Sequence, residues 1–557
     1  MAQPPLLPTP DVPATPRRPR SARLLRWRAP GRRTCIAGLI VLVFIGLIVI
    51  ASFLVDEPLR RMIERQMNER LKGYSAHIAR LSFHPLGLGV TLYGLTFSQN
   101  AHPDPAVLNV ARLDASIQWR ASVHRRVVAN FRLQHPKLYL DIQHIREEAK
   151  DPTPLTQHGW QQAFEAIYPL KINEVVIADG EAVYVDPGPV KPLRLSNIQL
   201  HVDNIRNVRS RERDYPSDLN VSAVVFESGR LTIDGHADFL AEPFIGVKSN
   251  VGLKEIPLDY FKPVTNRYNL TVSGGMLSAD GLVEYAPTIK VVDLRDAEIR
   301  GVKIDYIHTP QNVGVAQKAT KATVDVTKQT ANRSDLLVRA AHVRVTQSEV
   351  GVVNKAAAPE FRVFFTDVNL QVDNLTNQRT EGVGKIHLTG RFMGSGKTDA
   401  FMSFRPDPKG PDFDLALKLE ETDMTTMNPL LRQYGKFDVV RGRFSLYSEL
   451  HGKNGQVTGY VKPLFKDIKA YDPEKDRDKT FMQKVYAHLV DLAGQLLKNL
   501  PRKEVATKVD VAGPIHQPQA SALQAIGNLL RNAFIKAILP GLERETRSGA
   551  PPEKSKP

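Results

Sequence analysis

LSNIQLHVDNI occupies residues 195–205, and FTDVNLQVDNL follows at residues 365–375, 170 positions later. Four of the eleven positions are identical, and most of the others exchange like for like. The flanking sequence agrees as well. The first stretch is followed by LTIDG (231–235), LKEIPLDYFKP (253–263) and GGMLSADGLVEY (274–285). The second is followed by IHLTG (386–390), LEETDMTTMNPLL (419–431) and RGRFSLYSELH (441–451). Each series reads as strand, turn, strand, a Pro-marked segment and another alternating strand, so the chain is read as an internal duplication. Duplicated strand units build extended surfaces more readily than enclosed pockets.

Period-two alternation extends well beyond these stretches, and it marks strands with one apolar face. Leu113, Ala115, Ile117 and Trp119 alternate with Asp114, Ser116, Gln118 and Arg120. Phe413, Leu415, Leu417 and Leu419 alternate with Asp414, Ala416 and Lys418, and Phe444, Leu446 and Leu450 with Ser445, Tyr447 and Glu449. Gly94 reads as a bulge, because the apolar phase switches there from Val90 and Leu92 to Leu95 and Phe97. Asp179-Gly180, Asp234-Gly235, Asp280-Gly281 and Asn454-Gly455 read as tight hairpin turns. The fold class is therefore mainly β: an extended antiparallel meander over about residues 78–472, forming a curved sheet from duplicated modules. Residues 309–335 read as a linker or long loop between the repeats.

Only the ends look helical. Leu59, Ile63, Met67 and Leu71 fall at helical spacing, as do Phe481, Val485, Leu489, Leu492 and Leu496. A third amphipathic stripe runs through Leu523, Ile526, Leu530, Phe534 and Ala537. Ahead of all this, residues 34–55 hold no charge and would span roughly 33 Å as a helix, enough for a hydrocarbon core. Residues 1–33 carry eight arginines against one acid, a composition that does not fold. Arg26, Arg28, Arg32 and Arg33 abut the apolar run and hold its N-terminal end in the cytoplasm. A cleaved signal peptide is the rival reading, but no A-x-A site follows. The chain is expected to be a single-pass signal anchor, with everything from Asp56 onward across the membrane.

The charge of +16 belongs largely to that tail, which supplies +7 and leaves a mild basic bias on the exported part. Cys35 is the only cysteine and lies at the edge of the apolar run, so the exported part has neither disulfide nor thiol nucleophile. That suits a bacterial periplasm, and a nucleic-acid partner is not expected there.

GRFMGSGKT (390–398) comes nearest to a catalytic signature, but a phosphate-binding loop needs glycine at 391, which is arginine. The following DAFMSF reads as a strand, not a helix. The repeat alignment sets the stretch beside IDGHADF (233–239), a plain hairpin. The fifteen histidines show no HExxH and no paired ligand spacing, and no G-x-S-x-G elbow occurs. No enzyme activity, cofactor or metal is expected.

Several stretches carry a resemblance to a known family. FHPLGLGVTLYGLTF (83–97), VARLDASIQW (110–119) and FRLQHPKLYLDI (131–142) follow the anchor in order. KINEVVIADGEAVYVD (171–186), MNPLLRQYGKFDVVRGRFSLYSEL (427–450), VTGYVKPLFKDIKAYD (457–472) and AIGNLLRNAFIKAILPGL (525–542) continue the series. Together they resemble the AsmA-like proteins of Gram-negative envelopes, most closely the domain-of-unknown-function 748 branch. The resemblance implies an inner-membrane anchor holding a periplasmic β-rich groove that binds or transfers phospholipid for outer-membrane homeostasis. Its alternative is a non-enzymatic scaffold for assembling outer-membrane proteins, with envelope proteins as partners.

The implied organisation runs as follows: a basic tail (1–33), anchor (34–55), first AsmA-like β region (56–190), first repeat (191–308) and linker (309–335). The second repeat (336–472), a C-terminal helical region (473–543) and a disordered tail (544–557) complete it. The residues expected to line the groove are Ile117, Trp119, Phe413, Leu415, Leu417, Leu419, Phe444 and Leu446. The same side chains would equally fill the core of an ordinary sandwich, and the sequence leaves that choice open.

Overall fold

In the computed structural model the alternating segments become one mixed sheet of 20 strands. It describes residues 55–469 and 504–514, except 70, 72, 86–88, 118–127, 142, 144–170, 186–190, 206–212, 240–244, 267–268, 310–328, 359, 436–437 and 507. The expected tail, the run from residue 34 to 54, Arg26, Arg28, Arg32, Arg33, Trp119 and both expected C-terminal helices lie outside those residues. No helix among the described residues is long and apolar enough to cross a membrane.

The strands are β1 (Tyr74–His84), β2 (Gly89–Gln99), β3 (Leu108–Ile117), β4 (Val128–Asp141), β5 (Lys171–Val185), β6 (Leu193–Asp203) and β7 (Ser217–Val225). Next come β8 (Gly229–Asp238), β9 (Gly246–Pro257), β10 (Leu270–Ala286), β11 (Ile289–His308), β12 (Leu336–Asn354) and β13 (Phe361–Thr376). β14 (Gly384–Phe392), β15 (Gly396–Arg405), β16 (Asp412–Asp423), β17 (Arg441–Lys453), β18 (Gln456–Lys469), β19 (Glu504–Ala506) and β20 (Val509–Pro514) complete the sheet. From β1 to β18 every strand pairs with its neighbours in sequence, and β19 and β20 both pair with β18, so the sheet is nineteen positions wide. These last two strands fall within the region 473–543 that was expected to be helical.

Two junctions depart from the expected antiparallel meander: β4 with β5, and β11 with β12, are parallel. A hairpin cannot join parallel neighbours, because the chain must first return along the full strand length. Leu336, at the start of β12, accordingly pairs with Lys290, at the start of β11. The segment 309–335, expected to be a linker or long loop, thus joins two strands that pair directly with each other.

The Asp-Gly signals also need correction. Asn454-Gly455 does form the turn between β17 and β18, with φ of 51° and 75°. Asp179-Gly180, Asp234-Gly235 and Asp280-Gly281 instead lie inside β5, β8 and β10. A Cβ on Gly235 or Gly281 would strike the backbone of the adjacent strand, so these glycines permit close strand approach.

The phase switch at Gly94 holds. Val90, Leu92, Leu95 and Phe97 all face one cluster, and Gly94 takes φ of 60°. Its neighbours across the sheet bend in the same way, with His135 (φ 49°), Asp179 (φ 54°) and Asn197 (φ 50°) on β4, β5 and β6. An extra residue repeated in adjacent strands keeps the apolar side chains on one face while the chain bends. A second such line crosses Gly275, Gly301, Gln347 and Asp367, with φ of 84°, 67°, 50° and 50°.

The two quoted stretches follow the same path. Asn197 and Asp367 both have φ of 50°, and Asn204 and Asn374 have 57° and 53°. Downstream, Glu255 and Glu421 have φ of 52° and 57°, and their N–H groups donate to Ser278 Oγ and Ser445 Oγ at 3.1 and 3.0 Å. The hairpin containing GRFMGSGKT corresponds to VFESGR (225–230), one strand earlier than IDGHADF: Phe226-Glu227 and Met393-Gly394 make the equivalent turns. Strand pairing order, invisible in the sequence, sets that one-strand shift.

Three helical segments cover parts of the apolar face. Residues 55–69 are helical, and the expected stripe of Leu59, Ile63, Met67 and Leu71 packs against Ile78, Leu81, Leu92, Leu95 and Val110. Leu258–Phe261 with Lys262–Thr265 covers Val225, Phe226 and Ile256. Met424–Met427 with Asn428–Gly435 covers Phe361, Phe392, Phe444 and Phe465. The last segment is fixed by Asp423, which accepts from Thr425 N at 2.9 Å, and by Asn428, which bonds both backbone groups of Val439.

Candidate functional site: the apolar face

Side chains directly opposite each other in neighbouring strands share a face. The register therefore assembles rows that no single segment of sequence contains. One row reads Leu81, Leu92, Leu113, Leu133, Ile177, Leu200, Val221, Ile233, Val251, Gly281, Leu294, Ala340, Leu375, crossing thirteen strands from β1 to β13. A second reads Ala223, Leu231, Leu253, Ala279, Ala297, Val343, Val372, Ile386, Met402, Leu415, Leu450, Gly459, Val511, also thirteen strands, from β7 to β20. Neither row contains a polar side chain. At about 4.8 Å per strand the nineteen positions extend roughly 85 Å.

The burial of these rows separates a strip from a core. Leu81, Leu92 and Leu113 are buried, and they lie in the cluster closed by residues 55–69. Beyond that cluster most members are only half-buried, with Ala223, Ala297 and Val372 the buried exceptions among the residues with side chains. Around the β11–β12 junction the face is open: Val292, Val338 and Leu375 are 38%, 44% and 36% exposed. Among the described residues no second sheet packs on this face.

The residues expected to line the groove divide into two groups. Phe413, Leu415 and Leu417 are half-buried on β16, opposite Phe404, Met402 and Ala400 of β15. Leu419 and Phe444, at 3% and 2% exposure, are packed beneath Met424–Gly435, with Leu446 partly buried against them. Ile117 ends β3 opposite Ala129. The rows also draw on residues that sequence reasoning did not single out, such as Leu200, Val221, Ile233, Val251 and Leu294. Alternation in LNVSAVV (219–225) was the available signal, but only the register shows what lies beside it.

The alternate positions carry charge. His342, His387 and His451 pair with Asp373, Asp399 and Asp414 at 2.9, 2.9 and 2.7 Å, each histidine next in sequence to a member of the second row. His451 and Ser403 hold the Asp414 carboxyl below the usual carboxylate range by hydrogen bonding. Glu284 is buried, which alone would raise its pKa. The bonds from Arg213 (2.6 Å) and Tyr215 (3.0 Å), with the charge of Lys248, outweigh this and hold it low. Burial and the same carboxylate push the Tyr215 hydroxyl up to about 12.

Among the described residues one trio, Glu174, His201 and Asp203, brings three possible metal-ligand atoms within 4.8 Å of one another. His201 is half-exposed and already bonded to Asp203 at 2.9 Å, on the charged side of β5 and β6. Gly394 and Ser395 of the GSGK stretch form a hairpin turn, and Lys397 lies in β15 opposite Glu420, so no helix follows to cradle a phosphate. Searches against family models and against curated proteins find no match for this chain.

Proposed function

We propose that this chain is a membrane-anchored envelope protein of the AsmA-like kind, whose apolar strip holds the acyl chains of phospholipid. The single observation behind this reading is the pair of apolar rows, continuous across the sheet and half-exposed over most of its width. A folded core would bury such rows, and a surface serving only solvent would not assemble them.

The duplicated units lengthen one strip, and the lines of bulges curl it into a groove. Curling matters energetically. Each methylene buried is worth about 0.8 kcal/mol, and a flat strip covers only about half of an alkyl chain, whereas a curled one covers most of it. Headgroups remain in water along the open side. Residues 34–55 would place the β1 end at the inner membrane, with the bulk of the chain in the periplasm.

Native mass spectrometry of the purified full chain tests this. Phospholipid should accompany the protein, and Val338→Asp and Leu415→Asp should each reduce the bound lipid while Lys418→Asp on the charged side leaves it unchanged. A protein that carries no phospholipid, or variants that all behave alike, would sink the reading.

A further inference from the structure

The exposed side of β1 is occupied by something other than a strand. Among the described residues β1 pairs only with β2, which leaves its other row of backbone N–H and C=O groups to be satisfied elsewhere. The helical segment 55–69 supplies the partners. Asn68 accepts from Ala76 N through Oδ1 at 2.7 Å and donates to Ala76 O through Nδ2 at 2.9 Å. Glu64 Oε2 accepts from Ile78 N at 3.1 Å, and Arg60 Nη1 donates to Ile78 O at 3.0 Å. Asp56 Oδ1 accepts from Phe83 N at 2.8 Å.

Asp56, Arg60, Glu64 and Asn68 recur every fourth residue, so they form one stripe of the helix. Arg60 also pairs with Glu64 at 2.7 Å, which ties two rungs together. The adjoining stripe of Leu59, Ile63 and Met67 turns onto the apolar face. The helix therefore straddles the sheet edge, closing its backbone with one stripe and the start of the strip with the other. The rungs also follow the bend in β1. They engage Ala76 and Ile78, then pass to Phe83, matching the phase switch that carries the apolar face from Ile78 to Leu81.

We infer that residues 55–69 guard the β1 edge, and that the strand they exclude is β1 of a second copy of this chain. Two β1 strands meeting antiparallel are self-complementary about a two-fold axis. In the register that sets Leu81, the first residue of the thirteen-membered row, opposite its own counterpart, such pairing would continue the apolar strip across the dimer. This inference is independent of whether the strip holds lipid.

The test compares the full chain with the double variant Glu64→Ala/Asn68→Ala and with Glu64→Gln, which keeps an acceptor for Ile78 N. In the parent, the Ala76 and Ile78 amides should exchange slowly, and the mass should be that of one copy by light scattering. The double variant should speed exchange of those amides about tenfold or more, as loss of a backbone bond implies, and should become a dimer. Glu64→Gln should behave as the parent. Slow exchange of the β1–β2 amides confirms that the variant strand remains folded. The inference is overturned if the parent's Ala76 and Ile78 amides exchange like unstructured backbone. It is equally overturned if the double variant exposes them and still measures as one copy.

Discussion

Replacing Leu415 and Phe444 by alanine, one at a time, distinguishes an open strip from a packed core. Both are apolar and lie on neighbouring strands, β16 and β17, on the same face. Phe444 is 2% exposed and shares a cluster with Met424, Met427, Leu430 and Phe465. Truncating a phenylalanine in such surroundings costs about 3–5 kcal/mol, part of it from the cavity left behind. Leu415 has Met402 and Leu450 beside it and is only half-buried. Full burial of a leucine is worth about 1.5–3 kcal/mol, so half burial gives about 1 kcal/mol, and an open site leaves no closed cavity to add to it. Urea unfolding of the delipidated protein, followed by circular dichroism, reads both values from the shift in midpoint at constant slope. The expected outcome is a large loss for Phe444→Ala and a small one for Leu415→Ala. A cost of about 3 kcal/mol or more at Leu415 would mean that the strip is a filled interior, and the reasoning would fail.

The two bulges before the covering segments hold glutamates at positive φ, so Glu255→Gly and Glu421→Gly should each raise stability, by up to about 1 kcal/mol. Ser278→Ala and Ser445→Ala should each lower it by about 1 kcal/mol, since each removes the same bond to a bulge N–H. Unequal responses within either pair would break the equivalence of the repeats. The lowered pKa of Glu284 stabilises the fold above the ordinary glutamate value of about 4.3, and that contribution is lost as pH falls through the lower folded value. Acid titration of Glu284→Gln, watched through the chemical shifts around Tyr215, should show a flatter pH dependence in that range; an unchanged profile would contradict the assignment.

Much of the fold was legible because alternation is a local property. The strand around Leu415, the phase switch at Gly94 and the stripe from Leu59 to Leu71 each need only a dozen residues to be recognised. The neighbour of a strand is not local. The parallel junctions of β4 with β5 and β11 with β12 depend on where a long crossover returns, and nothing in KINEVVIADG or LLVRAAHVRV announces it. Asp234-Gly235 and Asp280-Gly281 misled for a related reason: a missing Cβ suits a turn and a close strand approach equally well. Within the expected lining, Leu419 and Leu415 share one alternating segment and differ only in whether Met424–Gly435 lies above them. The rows themselves are a product of register, assembled one residue per strand.

The most direct measurement is photocrosslinking in living cells, with a photoreactive residue placed at Val338, Leu375 or Leu415 on the apolar face and at His387 or Lys418 on the charged one. Phospholipid adducts should form at the first three positions and not at the last two. Adducts only to protein, or none on the apolar face, would contradict the claim that this sheet holds lipid along an open strip.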